Sequence, residues 1–149
     1  MNARIMSNAR AGSAELAVGS GGKWSYWLLV AAYAGLIFYF SSQSHPEEML
    51  PSLVRELSDH ALHIIEYSIL GALCYRAFRH AAGAWAARYA LLLAVLASSG
   101  YGLTDEIHQA YVPLRDADGW DVLMDAIGST IGAWGWRWTA GALTSHHHA

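Results

Sequence analysis

Residues 24–40 (WSYWLLVAAYAGLIFYF) run without a charged side chain. At about 1.5 Å per residue, a helix of that length comes close to crossing a hydrocarbon core of about 30 Å. Three more apolar stretches follow at residues 57–78, 85–103 and 122–138. The pattern predicts an all-α integral membrane protein, a four-helix bundle. Residues 1–23 are Gly, Ser, Ala and Asn with scattered Arg4, Arg10 and Lys23, too polar to bury a face, and read as a flexible lead. Residues 24–140 form the four-span membrane domain and 141–149 a tail. The FSSQS after the first span offers no small-x-small cleavage site, so this span reads as an uncleaved anchor. Pro51 suits the first turn of an interfacial helix leading into the second span. Pro113 stops any helical continuation of the third span, and Asp121 suits the start of the fourth.

The polar residues inside the spans are not scattered. Each charged group there costs roughly 2.5–3.5 kcal/mol on insertion scales and needs a reason. At about 100° per residue, Asp59, His60, His63, Glu66 and Tyr67 share one face of the second span. Ser98, Tyr101, Gly102, Asp105, His108 and Gln109 share one face of the third, with Glu106 beside it. On the fourth, Asp121 and Asp125 share a face with Gly128, Gly132 and Gly135, a small-xxx-small surface that admits a close neighbour. The first span ends in Ser41, Ser42, Gln43 and Ser44. Four helices thus bring polar sets to one leaflet, which predicts a single cavity lined by Ser42, Gln43, His60, His63, Glu66, Tyr67, Tyr101, Asp105, Glu106, His108, Gln109, Arg115, Asp121 and Asp125.

Composition and charge narrow the setting. The chain has 149 residues, 54% hydrophobic and only 14% charged, too little polar surface to coat a soluble globule. Its 14 Gly, 7 Trp and 8 Tyr suit membrane helices and their interfaces. A formal net charge of −3 with a single lysine gives no footprint for nucleic acid. Cys74, alone, cannot form an internal disulfide. Arg and Lys concentrate before the first span (Arg4, Arg10, Lys23), between the second and third (Arg76, Arg79, Arg88) and at the end of the fourth (Arg137). Both termini are therefore expected in the cytoplasm, with the cavity opening on the extracytoplasmic side.

Several chemistries fit such a cavity. A hydrolase or transferase acting on a phosphoester needs a base, a cation for the phosphate and acids to orient the base. His63 or His60 suits the general base or nucleophile, with Glu66 or Asp59 fixing its tautomer. Arg115, planar and bidentate, suits the phosphate, and His108 the protonation of the leaving oxygen. The same residues equally suit an interhelical hydrogen-bond network, with Arg115 paired to Asp121 or Asp105. A metal site is the third option, since His60, His63 and Glu66 at i, i+3 and i+6, with Asp105 and His108, offer ligands for zinc or manganese. A proton-coupled transporter fits least, because the cluster is confined to one leaflet. Met49, Met124 and Cys74 read as packing residues, the tryptophans as interface anchors, and His146 to His148 as an adventitious metal binder.

The segments FSSQS (Phe40 to Ser44), DHALHIIEYSILGAL (Asp59 to Leu73), YGLTDEIHQAYVPLR (Tyr101 to Arg115) and DVLMDAIGSTIG (Asp121 to Gly132) resemble, in this order, the VanZ-like family of small four-span membrane proteins. That family is named for a glycopeptide (teicoplanin) antibiotic-resistance protein and often carries Asn at the position of Asp125. The resemblance implies a bacterial cytoplasmic-membrane protein of the cell envelope. It also implies chemistry on lipid head groups or lipid-linked glycan or peptidoglycan precursors, which would be its partners. A non-catalytic protein that binds or shields a cell-surface lipid or antibiotic target is the alternative.

Overall fold

The computed structural model describes residues 3–44, 51, 57–115 and 117–145, all-helical apart from turns and short connections. The elements are α1 (Ala3–Ser41), α2 (Asp59–Ala81), α3 (Gly83–Arg88), α4 (Ala90–Gln109) and α5 (Gly119–Ser145). The segment expected to form an interfacial helix before α2 lies outside the described residues, as do His146 to His148. Helix α1 starts at Ala3, well ahead of the apolar run, so no break appears at residue 23. Ala, Arg, Met, Leu and Glu in that lead are good helix formers and continue the apolar helix backwards.

The expected third span divides in two. Gly83 takes φ 87°, a left-handed conformation open to glycine, and reverses the chain after α2. The one-and-a-half turns of α3 follow, closed by the Tyr89 N–H donating to the Ala86 carbonyl, and α4 proper starts at Ala90. Trp85 and Tyr89 are exposed and lean on one another at 5.5 Å between ring centroids, as suits an interfacial corner.

Helix α2 is the axle of the bundle. It packs most extensively on α5 and then on α4 and α1. Small residues let α2 and α5 meet backbone to backbone: a Cβ at Gly71 would collide with the Ser129 carbonyl, one at Gly128 with that of Ile64, and one at Gly132 with that of Ser68. The apolar core combines Ile37, Tyr67, Leu70, Cys74 and Tyr75 with Ala90, Ala94 and Ala133, so alanines set the helix spacing on the α4 and α5 sides. At the end of the bundle away from the polar cluster, Trp27 meets Phe78 edge-on at 5.2 Å. There the Arg76 guanidinium lies between the rings of Tyr26, at 5.4 Å, and Trp136, at 4.6 Å.

The outside of the bundle is apolar. Leu92, Leu96, Leu103 and Ile107 form an exposed stripe along α4, and Leu123, Ile127, Ile131, Trp134 and Trp138 one along α5. Buried acids inside and exposed leucines outside invert the pattern of a water-soluble domain and suit a lipid solvent. Gly22–Ser41 and Ala90–Gln109 are long and apolar enough to cross a membrane. With 23 and 27 residues, α2 and α5 have the length. Asp59, His60, His63, Glu66, Arg76 and Arg79 on α2, and Asp121, Asp125 and Arg137 on α5, dilute their hydropathy.

Candidate functional site

Four helix termini meet at one end of the bundle: the C-terminal turns of α1 and α4 and the N-terminal turns of α2 and α5. Helix α2 begins with Ser58 as its cap, the Ser58 hydroxyl accepting from the Ala61 N–H at 3.3 Å. Helix α5 begins with Asp118, whose carboxylate accepts from the Trp120 N–H at 2.9 Å. The two helices so begun bring His63 on α2 and Asp121 and Asp125 on α5 to face each other across their interface.

His63 is the centre of the arrangement. Its Nδ1 lies 2.8 Å from Asp125 Oδ1 in a buried hydrogen bond across α2 and α5. The ring lies parallel to that of Tyr67, with 6.3 Å between centroids. The other ring nitrogen, Nε2, stands 3.7 Å from Asp121 Oδ2. Asp125 is fully buried, and it fits because Gly102 of α4 has no side chain: a Cβ there would strike the Asp125 carboxylate. The carboxylate on His63 Nδ1 is thus Asp125 of α5, whereas the order of residues along α2 suggests Glu66 or Asp59. Asp59 is exposed in the first turn of α2, and the Nδ1 edge of the ring points across the interface rather than along its own helix.

Helix α4 supplies the third wall. Glu106 is buried, and its Oε2 accepts the Asp118 backbone N–H at 2.9 Å, so the chain entering α5 holds this carboxylate in place. Asp105, also buried, accepts from Gln109 Nε2 at 3.2 Å. Glu66 is half-buried, one turn along α2 from His63. Arg115 follows Leu114, whose φ of 65° is a left-handed bend in the loop after α4. His60 is half-exposed at the rim, 4.0 Å from Asp121 Oδ1 through Nε2.

Other expected lining residues engage elsewhere. His108 Nε2 lies 3.1 Å from Ser42 Oγ, and its ring packs on Phe38 at 4.7 Å, which places it on the seam between α1 and α4. Gln43 Nε2 donates to the Tyr39 carbonyl, and the Tyr101 hydroxyl donates to the Ala34 carbonyl at 2.7 Å, tying α4 to α1. The Tyr67 hydroxyl is buried without a hydrogen-bond partner among the described residues. Two contributors escaped the reading of the sequence: the Asp118 N–H, and Gly102 as the space for Asp125. The Asp-Gly-Trp-Asp run is the signal for the first, since an acid two residues before an aromatic helix start is a cap pattern.

Three of these residues are placed to hold a metal. One ligand atom each from His63, Glu106 and Asp121, all buried, lie within 4.8 Å of one another. The set expected from the α2 spacing is not the one that converges, because His60 turns out to the rim and the other ligands come from α4 and α5.

An apolar exterior around a buried imidazole and four carboxylates defines a small helical membrane protein with a polar centre at one end of its bundle. The chain belongs to the VanZ/LLP1 family, whose model matches residues 26–140. No curated protein and no solved structure matches it. Family membership places the protein in the membrane and in association with the cell envelope.

Proposed function

We propose that the protein is a cell-envelope enzyme that hydrolyses or exchanges a phosphoester on a phospholipid head group or a lipid-linked glycan or peptidoglycan precursor. In this reading all four long helices cross the membrane, both termini are cytoplasmic, and the centre opens at the extracytoplasmic surface. The observation that carries it is the buried His63–Asp125 pair at 2.8 Å. When Nδ1 carries the proton and donates it to Asp125, Nε2 presents its lone pair to the space bounded by α4 and α5. A water or alcohol there gives up its proton to Nε2 when that lone pair is free; were Nε2 to ligate a divalent ion, the ion would acidify the water and the proton would pass to a neighbouring carboxylate instead. A structural network alone needs no carboxylate behind one ring nitrogen and a second ring nitrogen left, among the described residues, without a hydrogen-bond partner.

A phosphate ester reaching this end of the bundle meets Arg115 on the loop after α4, a planar donor suited to bidentate contact. The exposed apolar stripes of α4 and α5 leave the acyl chains of a lipid substrate in the bilayer beside the centre. The test is lipid mass spectrometry on purified protein in liposomes of a bacterial lipid extract supplemented with lipid-linked precursors. A released head group or phosphorylated product with wild type, and its loss with His63→Ala, is expected. Equal product from His63→Ala refutes the role of His63, and no product from wild type refutes the enzymatic reading.

A further inference from the structure

We infer that the protein binds one divalent transition-metal ion, zinc or manganese, between His63 Nε2 and the carboxylates of Glu106 and Asp121. The ion deepens the enzymatic reading, and what it does for catalysis rests on that reading, although its binding does not. Three observations support it.

The first is the spacing. His63, Glu106 and Asp121 come from α2, α4 and α5, and their ligand atoms lie within 4.8 Å of one another. The 3.7 Å from His63 Nε2 to Asp121 Oδ2 is too long for a hydrogen bond. It is close to the roughly 3.4 Å that separates two ligand atoms seen at a tetrahedral angle from one ion at about 2.0–2.2 Å.

The second is the arrangement behind the imidazole. A metal-bound histidine characteristically gives its other ring N–H to a carboxylate, which fixes the tautomer and aims the free lone pair at the ion. His63 has that partner in Asp125 at 2.8 Å. Glu106 is held in the same way, with Oε2 accepting from the Asp118 N–H and Oε1 left over.

The third is uncompensated charge. Glu106 is 4% exposed, and its Oε1 has no hydrogen-bond partner among the described residues. The same holds for one carboxylate oxygen each of Asp105, Asp121 and Asp125. Buried acceptors of this kind are costly unless something positive faces them. The chain's single lysine, Lys23, lies at the other end of the bundle, and among the described residues no arginine forms a salt bridge with these carboxylates. A dication at the centre of the triangle faces the carboxylates of Glu106 and Asp121 together.

The nitrogen ligand favours zinc over calcium and magnesium, which prefer oxygen throughout, and the two carboxylates also suit manganese. Three protein ligands leave a coordination position open for water or a phosphate oxygen, the pattern of catalytic rather than structural sites. A bound ion would acidify that water and offset the carboxylates that otherwise repel an anionic substrate.

The experiment uses the full chain with His146, His147 and His148 replaced by alanine, so that the tail binds no metal. The purified protein is loaded with zinc or manganese, desalted and analysed by inductively coupled plasma mass spectrometry. Its thermal midpoint is followed with and without each ion. One ion per chain and a rise in midpoint are expected. Both should be lost in His63→Ala, Glu106→Gln and Asp121→Asn and kept in Thr130→Ala, on the exposed side of α5. Metal retained in all three variants overturns the site. If the variants do not fold, as judged by circular dichroism, titration of the parent decides, and no saturable binding of either ion overturns the inference. Because the ion is counted without turnover, a parent that binds metal but converts no lipid refutes the enzymatic reading alone. A parent that converts lipid yet binds neither ion refutes the inference alone.

Discussion

Replacing Gly128 by alanine tests whether the close approach of α2 and α5 holds the centre together. The added Cβ would collide with the Ile64 carbonyl oxygen and stand 3.0 Å from Ile64 Cα and 3.1 Å from its carbonyl carbon. These are backbone atoms of a helix, and the same oxygen accepts the Ser68 hydroxyl, so no side chain can turn aside. The two helices must separate, and overpacking of this kind costs about 2–3 kcal/mol at the upper end of its usual range. A kcal/mol moves the thermal midpoint of a domain this size by about 2–4 °C, so a fall of roughly 5–10 °C is expected. Ile64 neighbours His63 and Gly128 lies one turn from Asp125, so the separation falls where the 2.8 Å hydrogen bond spans the interface. Loss of turnover should therefore accompany the loss of stability.

The internal comparison is Gly135→Ala on the same helix, where a Cβ meets nothing within 4 Å. There alanine gains helix propensity, up to about 1 kcal/mol, and the midpoint should hold or rise. The assay is thermal unfolding in detergent followed by the fluorescence of the seven tryptophans. A Gly128→Ala midpoint within about 2 °C of wild type, or one that moves together with Gly135→Ala, refutes the backbone contact as the element that sets helix spacing.

Two further substitutions probe the centre and the opposite end of the bundle. Asp125→Asn keeps a carbonyl oxygen for the His63 Nδ1–H and should retain the fold and part of the activity. Asp125→Leu strands that N–H at a cost of about 1–3 kcal/mol. It should lower turnover by about 10–100-fold, and equal behaviour of the two variants in thermal unfolding and lipid turnover contradicts the orienting role. Arg76→Lys replaces a planar guanidinium between Tyr26 and Trp136 with a point charge and should lower the midpoint by about 1–4 °C, from the loss of about 0.5–1 kcal/mol of stacking. An unchanged midpoint shows that Arg76 serves only as a charge.

The helices and their polar faces were legible because membrane insertion penalises every buried charge, so periodicity alone exposes which positions face inward. His63, Asp121 and Asp125 could be placed on inward faces from spacing. Their pairing could not. A single sequence gives the angular position of a residue on its own helix but not the rotation of one helix against another, which the contacts of Gly71, Gly128 and Gly132 set. His63 was thus matched with acids on its own helix, and its partner came from α5. His108 carries the same periodic signal as Asp105, yet its ring settles beside Ser42 and Phe38 on α1, because its angle at the edge of the face leaves the choice to the neighbouring helix. The break at Tyr89 was hidden because Trp85, Ala86 and Ala87 are as apolar as the helix that follows.

The centre is drawn from α2, α4 and the first two turns of α5, so it is complete only once α5 has followed the other helices out of the ribosome. Synthesis proceeds from the N-terminus, and until α5 is inserted His63 has neither of its α5 carboxylates and Glu106 lacks the Asp118 N–H. A nascent chain that ends before α5 therefore lacks the His63–Asp125 pair. The same order makes α5 a checkpoint for quality control, since a chain truncated after α4 exposes the α2 face around Ile64, Ser68 and Gly71 and leaves Glu106 without the Asp118 N–H.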